Sequence, residues 1–163
     1  MNKRELLLIG FVILVVLVRL IPHPPNFTPI IALALFGGST FKNKWIGISL
    51  PIMAMIISDL YLGFYSISIW VYGSFLLISI LGTVWREIKI TNIFISSLIF
   101  FTITNFGVWL SGYPKTIEGF LLCYTMALPF FINSLLGTIF FSYLLKYSFR
   151  YSENKLTARS SIG

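Results

Sequence analysis

One histidine, one cysteine and five acidic side chains among 163 residues exclude most site chemistry before any pattern is read. A structural zinc site takes four nitrogen or sulfur ligands, and His23 and Cys123 cannot supply them. Cys123 has no second cysteine to pair with, so an internal disulfide is ruled out. No Ser/His/Asp spacing, phosphate loop or carboxylate pair is present. Ligation of cobalt or iron within a cofactor by His23 or Cys123 is the remaining metal chemistry, and a cysteine packed in a helix is far commoner. The expectation is a protein that is not an enzyme and has no metal and no cofactor.

Charge is scarce as well. Charged residues make up 10% of the chain against 57% hydrophobic, with mean hydropathy +0.91, which excludes a soluble domain and leaves one integral membrane domain. The net charge of +7 lies in short polar breaks between apolar runs and forms no basic face, so nucleic acid is not expected as a partner. A positive start, Asn2-Lys-Arg4, is followed by no small-residue cleavage site, so no cleavable signal peptide is read.

What is present is a series of apolar runs. Six spans are expected, at roughly Leu6–Ile21, Phe27–Phe41, Trp45–Leu60, Ile67–Val84, Asn92–Leu110 and Gly119–Leu145. The fold class is thus all-α, a polytopic six-helix bundle over residues 1–146, with a polar, disordered cytoplasmic tail over 147–163. No internal repeat appears. With the N-terminus inside, ten of the twelve lysines and arginines fall on the inner side, and only Arg19 and Lys115 fall outside. That bias predicts both termini in the cytoplasm.

Four of the seven prolines and the single histidine sit in Arg19-Leu-Ile-Pro-His-Pro-Pro-Asn-Phe-Thr-Pro29. These prolines lack backbone donors and hold their predecessors extended, so the stretch is a stiff connector. The run after it is only about 22 Å long at 1.5 Å per residue, against a hydrocarbon core of ~30 Å. Either that helix spans poorly or the connector descends below the membrane surface. Irregular backbone at that depth survives only where protein buries it or a watery cavity adjoins it. The connector is therefore expected to wall a binding site.

The topology gathers polar and aromatic residues at the outer end: His23, Asn26, Asp59, Tyr65, Tyr72, Asn105, Trp109 and Tyr113. An aromatic belt accounts for part of this set but not for Asp59, Asn105 or Asn133 within apolar runs. Asp59 has two compatible readings, a structural ion pair with Arg19 or a ligand contact. Asn133 reads as glue between helices, and Asn105, one turn from Trp109, as a ligand contact. Pro129 is expected to kink the sixth span. Ala34-x-x-x-Gly38 is a small-residue face that either packs inside the bundle or docks a partner.

Four motifs, His23-Pro-Pro-Asn-Phe-Thr-Pro29, Ala32 through Gly38, Ser58-Asp59-Leu-Tyr-Leu-Gly63 and Tyr72-Gly-Ser-Phe75, carry a resemblance. From Arg19 to about Leu144 the chain resembles a family of small bacterial membrane proteins grouped with the substrate-binding (S) components of energy-coupling-factor (ECF) vitamin transporters. The resemblance implies an ECF S-component-like bundle with an outward-facing pocket for a vitamin. It also implies a second membrane subunit and two ATPases as partners, in the bacterial inner membrane. The chain departs from the S-component pattern of an Ala-x-x-x-Ala docking face on the first span, where Gly10 is the only small residue.

The expected function is substrate-binding in uptake of a small organic nutrient, with the aromatics packing on the ligand and Asn and Asp orienting it. The rival expectation is a structural membrane scaffold without a ligand.

Overall fold

The computed structural model describes residues 3–160 as six helices. These are α1 (Lys3–Leu20), α2 (Ile30–Thr40), α3 (Lys44–Leu62), α4 (Ser68–Trp85), α5 (Ile90–Gly112) and α6 (Ile117–Ser160). Helices α3, α4, α5 and α6 are long and apolar enough to cross a membrane. The expected second span is not: α2 has 11 residues, about 16 Å of helix. Helix α1 has 18 residues, of which Ile9–Leu20 form an apolar stretch.

The short helix is the centre of the molecule. Helices α1, α3, α4, α5 and α6 form a closed ring in that order, and each of them touches α2. Every residue from Ile30 to Gly38 is buried. This explains why the run is apolar all round. It also explains the small residues, because close approach of backbones is what holds helices together where lipid is as apolar as leucine. A Cβ on Gly38 would strike the Ser79 carbonyl and the Gly82 Cα of α4. A Cβ on Gly37 would strike the Gly47 carbonyl of α3. The Ala34-x-x-x-Gly38 face is therefore spent inside the bundle. Buried serines on the ring helices, Ser79, Ser96, Ser97, Ser134 and Ser142, extend the same small-residue lining, and their hydroxyls have no partner among the described residues.

Local signals set the helix ends. Asn43 caps α3 by accepting the Trp45 N–H at 3.0 Å, and Gly63 ends that helix at φ 94°, a conformation open to glycine. The polar tail differs from the expectation of disorder. Helix α6 runs on through Tyr147 to Ser160, while residues 161–163 lie outside the described region. The cause is packing that the polar composition conceals. Phe149 is buried, with its ring 5.5 Å from Phe36 of α2 and 6.5 Å from Phe11 of α1.

Candidate functional site

The connector between α1 and α2 is built as a turn. The Phe27 N–H donates to the Pro24 carbonyl at 3.0 Å with Asn26 at φ 62°. Proline followed by a left-handed residue at the two central positions is the type II β-turn pattern, and asparagine tolerates that φ better than most side chains. The turn is pinned to α6. The Asn133 amide donates to the Pro25 carbonyl at 3.1 Å, and the Phe27 ring lies 5.6 Å from that of Phe141. Gly137 lets the Phe27 backbone approach, since a Cβ there would lie 3.2 Å from its Cα. Asn133 is thus glue as expected, but between helix and connector. It stands sixteen residues beyond Ile117, about 24 Å along α6, so the connector reaches well down the bundle.

Beneath this turn lies a cavity of about 330 Å³, near the lower end of the range for small-molecule sites, ~300–1,000 Å³. Pro25 and Asn26 close one side, Ile67 at the N-terminal cap of α4 and Val71 within it another, and α5 and α6 supply the rest. From α5 come Phe100, Thr104, Asn105 and Val108, and Tyr113 caps that helix. From α6 come Cys123, Met126, Ala127 and Phe130. No charged side chain lines it. Asn105 donates its amide N–H to the Phe101 carbonyl at 2.8 Å, and its amide oxygen has no partner among the described residues. The Cys123 thiol is buried and sits 3.6 Å from the Asn105 carbonyl, a packed wall residue.

A second cluster lies at the same end of the bundle. Arg19 of α1 donates one guanidinium nitrogen to Asp59 at 2.8 Å and another to the Ser58 hydroxyl. The Tyr72 hydroxyl donates to the other Asp59 oxygen at 2.6 Å. Asp59 is 2% exposed and none of the four residues lines the cavity. Both carboxylate oxygens are occupied by protein donors. The cluster ties α1, α3 and α4 together, and Arg19 is the partner that the ion-pair reading of Asp59 expected, a reading compatible with a ligand contact.

Of the eight residues singled out in the sequence, Asn26, Asn105 and Tyr113 share the cavity, and Asp59 and Tyr72 share the ion-pair cluster. The other three line neither. His23 turns its Nδ1 to the Ile21 carbonyl at 2.6 Å. Tyr65 is exposed. Trp109 packs against Phe106 and Phe120, donates its indole N–H to the Pro114 carbonyl, and has the Lys115 ammonium 5.4 Å from its ring. Sequence reasoning missed the apolar wall. Phe100, Thr104 and Val108 recur every four residues, as do Cys123, Ala127 and, one residue early, Phe130, so each set forms one helical stripe. The stripes carry no contrast in polarity with the lipid-facing sides, and so gave no signal. Among the described residues no cluster of His, Cys, Asp or Glu could hold a metal ion.

Six helices, four of them long and apolar enough to cross a membrane, fit a multi-pass helical membrane protein, and an open cavity lies at one end of it. The chain belongs to a family of unknown function, DUF6580, whose model matches residues 1–159. No curated protein and no solved structure matches it.

Proposed function

We propose that the protein is the substrate-binding membrane subunit of a system that takes up a small organic nutrient, in the manner of an ECF S component. It would sit in the bacterial inner membrane with both termini cytoplasmic, serving a membrane partner and ATPases and catalysing no reaction itself. The observation that carries the reading is the cavity beneath the proline connector, which brings Asn26 of the connector together with Asn105 of α5 and Tyr113 at that helix's C-terminal cap. The wall chemistry narrows the ligand. An apolar lining with amide, hydroxyl and phenol groups and no charge suits a neutral, largely apolar or aromatic compound with one or two hydrogen-bonding groups. A vitamin or vitamin precursor of that kind is the expected class.

The test is a thermal-shift screen of the detergent-solubilised protein against vitamins and their precursors. A neutral, mainly apolar compound should raise the melting temperature saturably, and Asn105→Leu should abolish that rise without lowering the melting temperature of the free protein. If no compound stabilises the protein, the scaffold reading takes its place.

A further inference from the structure

The opposite end of the bundle holds a second pair of recesses, polar where the first cavity is apolar. The larger, about 430 Å³, lies between the C-terminal end of α2, the α4–α5 connection and the extended part of α6. Arg86, Lys146 and Arg150 line it together with two carboxylates, Glu87 and Glu153. The smaller, about 250 Å³, adds Lys42 and Lys44. Ser39, Thr40 and Arg86 belong to both walls, so the two recesses adjoin. Across both there are five cations and two carboxylates, and Glu87 is already engaged by Lys89 at 3.0 Å.

Positive loops alone do not account for this arrangement. The orientation bias requires cations on one side of the membrane but does not require them to face one another across a recess. Here Arg86, Lys146 and Arg150 come from two distant parts of the chain. Lys146 also fixes the recess, donating to the Ile88 carbonyl at 3.0 Å and so tying α6 to the α4–α5 connection. Arg86 is one of two described non-glycine residues at positive φ, at 54°. It caps α4 in the left-handed conformation that helix ends normally assign to glycine. Arg86 thus stands between two recesses in a conformation that costs a non-glycine residue local backbone energy.

We propose that these adjoining recesses form a binding site for a phosphate group, with Arg86 at its centre. The forked guanidinium matches phosphate oxygens, and the Thr40 hydroxyl lies in the same wall as a neutral donor beside Ser39, whose own hydroxyl donates to the Phe36 carbonyl at 3.2 Å. Basic pockets between helix ends at the membrane surface are the recognised receptors of anionic lipid head groups. A soluble organic phosphate would present the same chemistry.

Native mass spectrometry of the full chain in detergent separates these sources. The probes are phosphatidylglycerol, phosphatidylcholine, glycerol 3-phosphate and inorganic phosphate. Phosphatidylglycerol is expected to bind several-fold more tightly than phosphatidylcholine, with the difference shrinking as salt rises. Binding by glycerol 3-phosphate at comparable affinity would assign the site to soluble phosphates, and binding of the acylated probe alone would assign it to lipid. The decisive variant is Arg86→Gly, which deletes the cation while supplying the residue that the backbone there prefers, so it should fold at least as well as the parent. It should weaken the preferred probe roughly fivefold, with Arg150→Gln adding a similar factor. Equal binding of phosphatidylglycerol and phosphatidylcholine with neither phosphate bound, or full retention of affinity in Arg86→Gly and Arg150→Gln, would overturn the proposal.

Discussion

Replacing Asp59 by asparagine distinguishes a structural from a ligand-contacting carboxylate. The substitution keeps size and shape and leaves an acceptor for the Tyr72 hydroxyl, so the main loss is the charge that faces Arg19 at 2.8 Å. The side chains of Arg19 and Asp59 are 14% and 2% exposed, so the arginine would be left unpaired with little water to replace its partner. Breaking a buried pair from one side costs about 3–5 kcal/mol, which for a chain of this size lowers the melting temperature by on the order of 10 °C. Arg19→Met should cost a similar amount. The double variant Arg19→Met, Asp59→Leu removes both charges together and should recover most of the loss, because an apolar pair of similar volume often matches a buried ion pair. Tyr72→Phe deletes one hydrogen bond to a charged acceptor and should cost about 1.5–3 kcal/mol. Thermal unfolding in one detergent, read by tryptophan fluorescence, measures all four. An Asp59→Asn protein that melts with the parent would refute the structural assignment. If it also lost a ligand's stabilising effect, the carboxylate would be a binding group after all.

Other substitutions test the packing. Gly38→Ala places a methyl group against backbone atoms of Ser79 and Gly82 and should destabilise by about 1–3 kcal/mol. Gly10→Ala meets nothing within 4 Å and should be neutral or slightly stabilising through helix propensity, as the same melting experiment would show. Asn133→Leu deletes the bond to the Pro25 carbonyl; it should cost about 1 kcal/mol and speed proteolysis between Ile21 and Pro29 while cleavage elsewhere is unchanged.

Much of the helical layout was legible in the amino-acid order. Apolar runs bounded by charge and proline marked α3, α4 and α5 to within two residues, since a helix is the form of such a run that satisfies every backbone group in lipid. The proline connector was legible for a related reason, because missing donors and restricted neighbours act locally. Asp59 was conspicuous as a lone carboxylate in an apolar run, with Arg19 its obvious partner, though not Tyr72 or Ser58 as further donors.

Three matters were decided only by the tertiary structure. Which apolar run lies at the centre could not be read, because lipid and protein interior present the same low polarity and hydropathy does not separate them. Ile30–Gly38 is enclosed by five helices, while large apolar side chains of α3 and α5 such as Ile57 and Phe94 face outward. The length of α6 escaped for the converse reason: its polar extension is held by the buried Phe149 against Phe36 and Phe11, a contact between residues more than a hundred positions apart. The cavity walls were hidden likewise, since Phe100, Val108 and Phe130 differ from lipid-facing neighbours only in what stands opposite them. Composition and local geometry thus determined where helices form and where they cannot. Which side of each helix faces protein was set by shape, because close packing between backbones chooses partners where polarity offers no contrast.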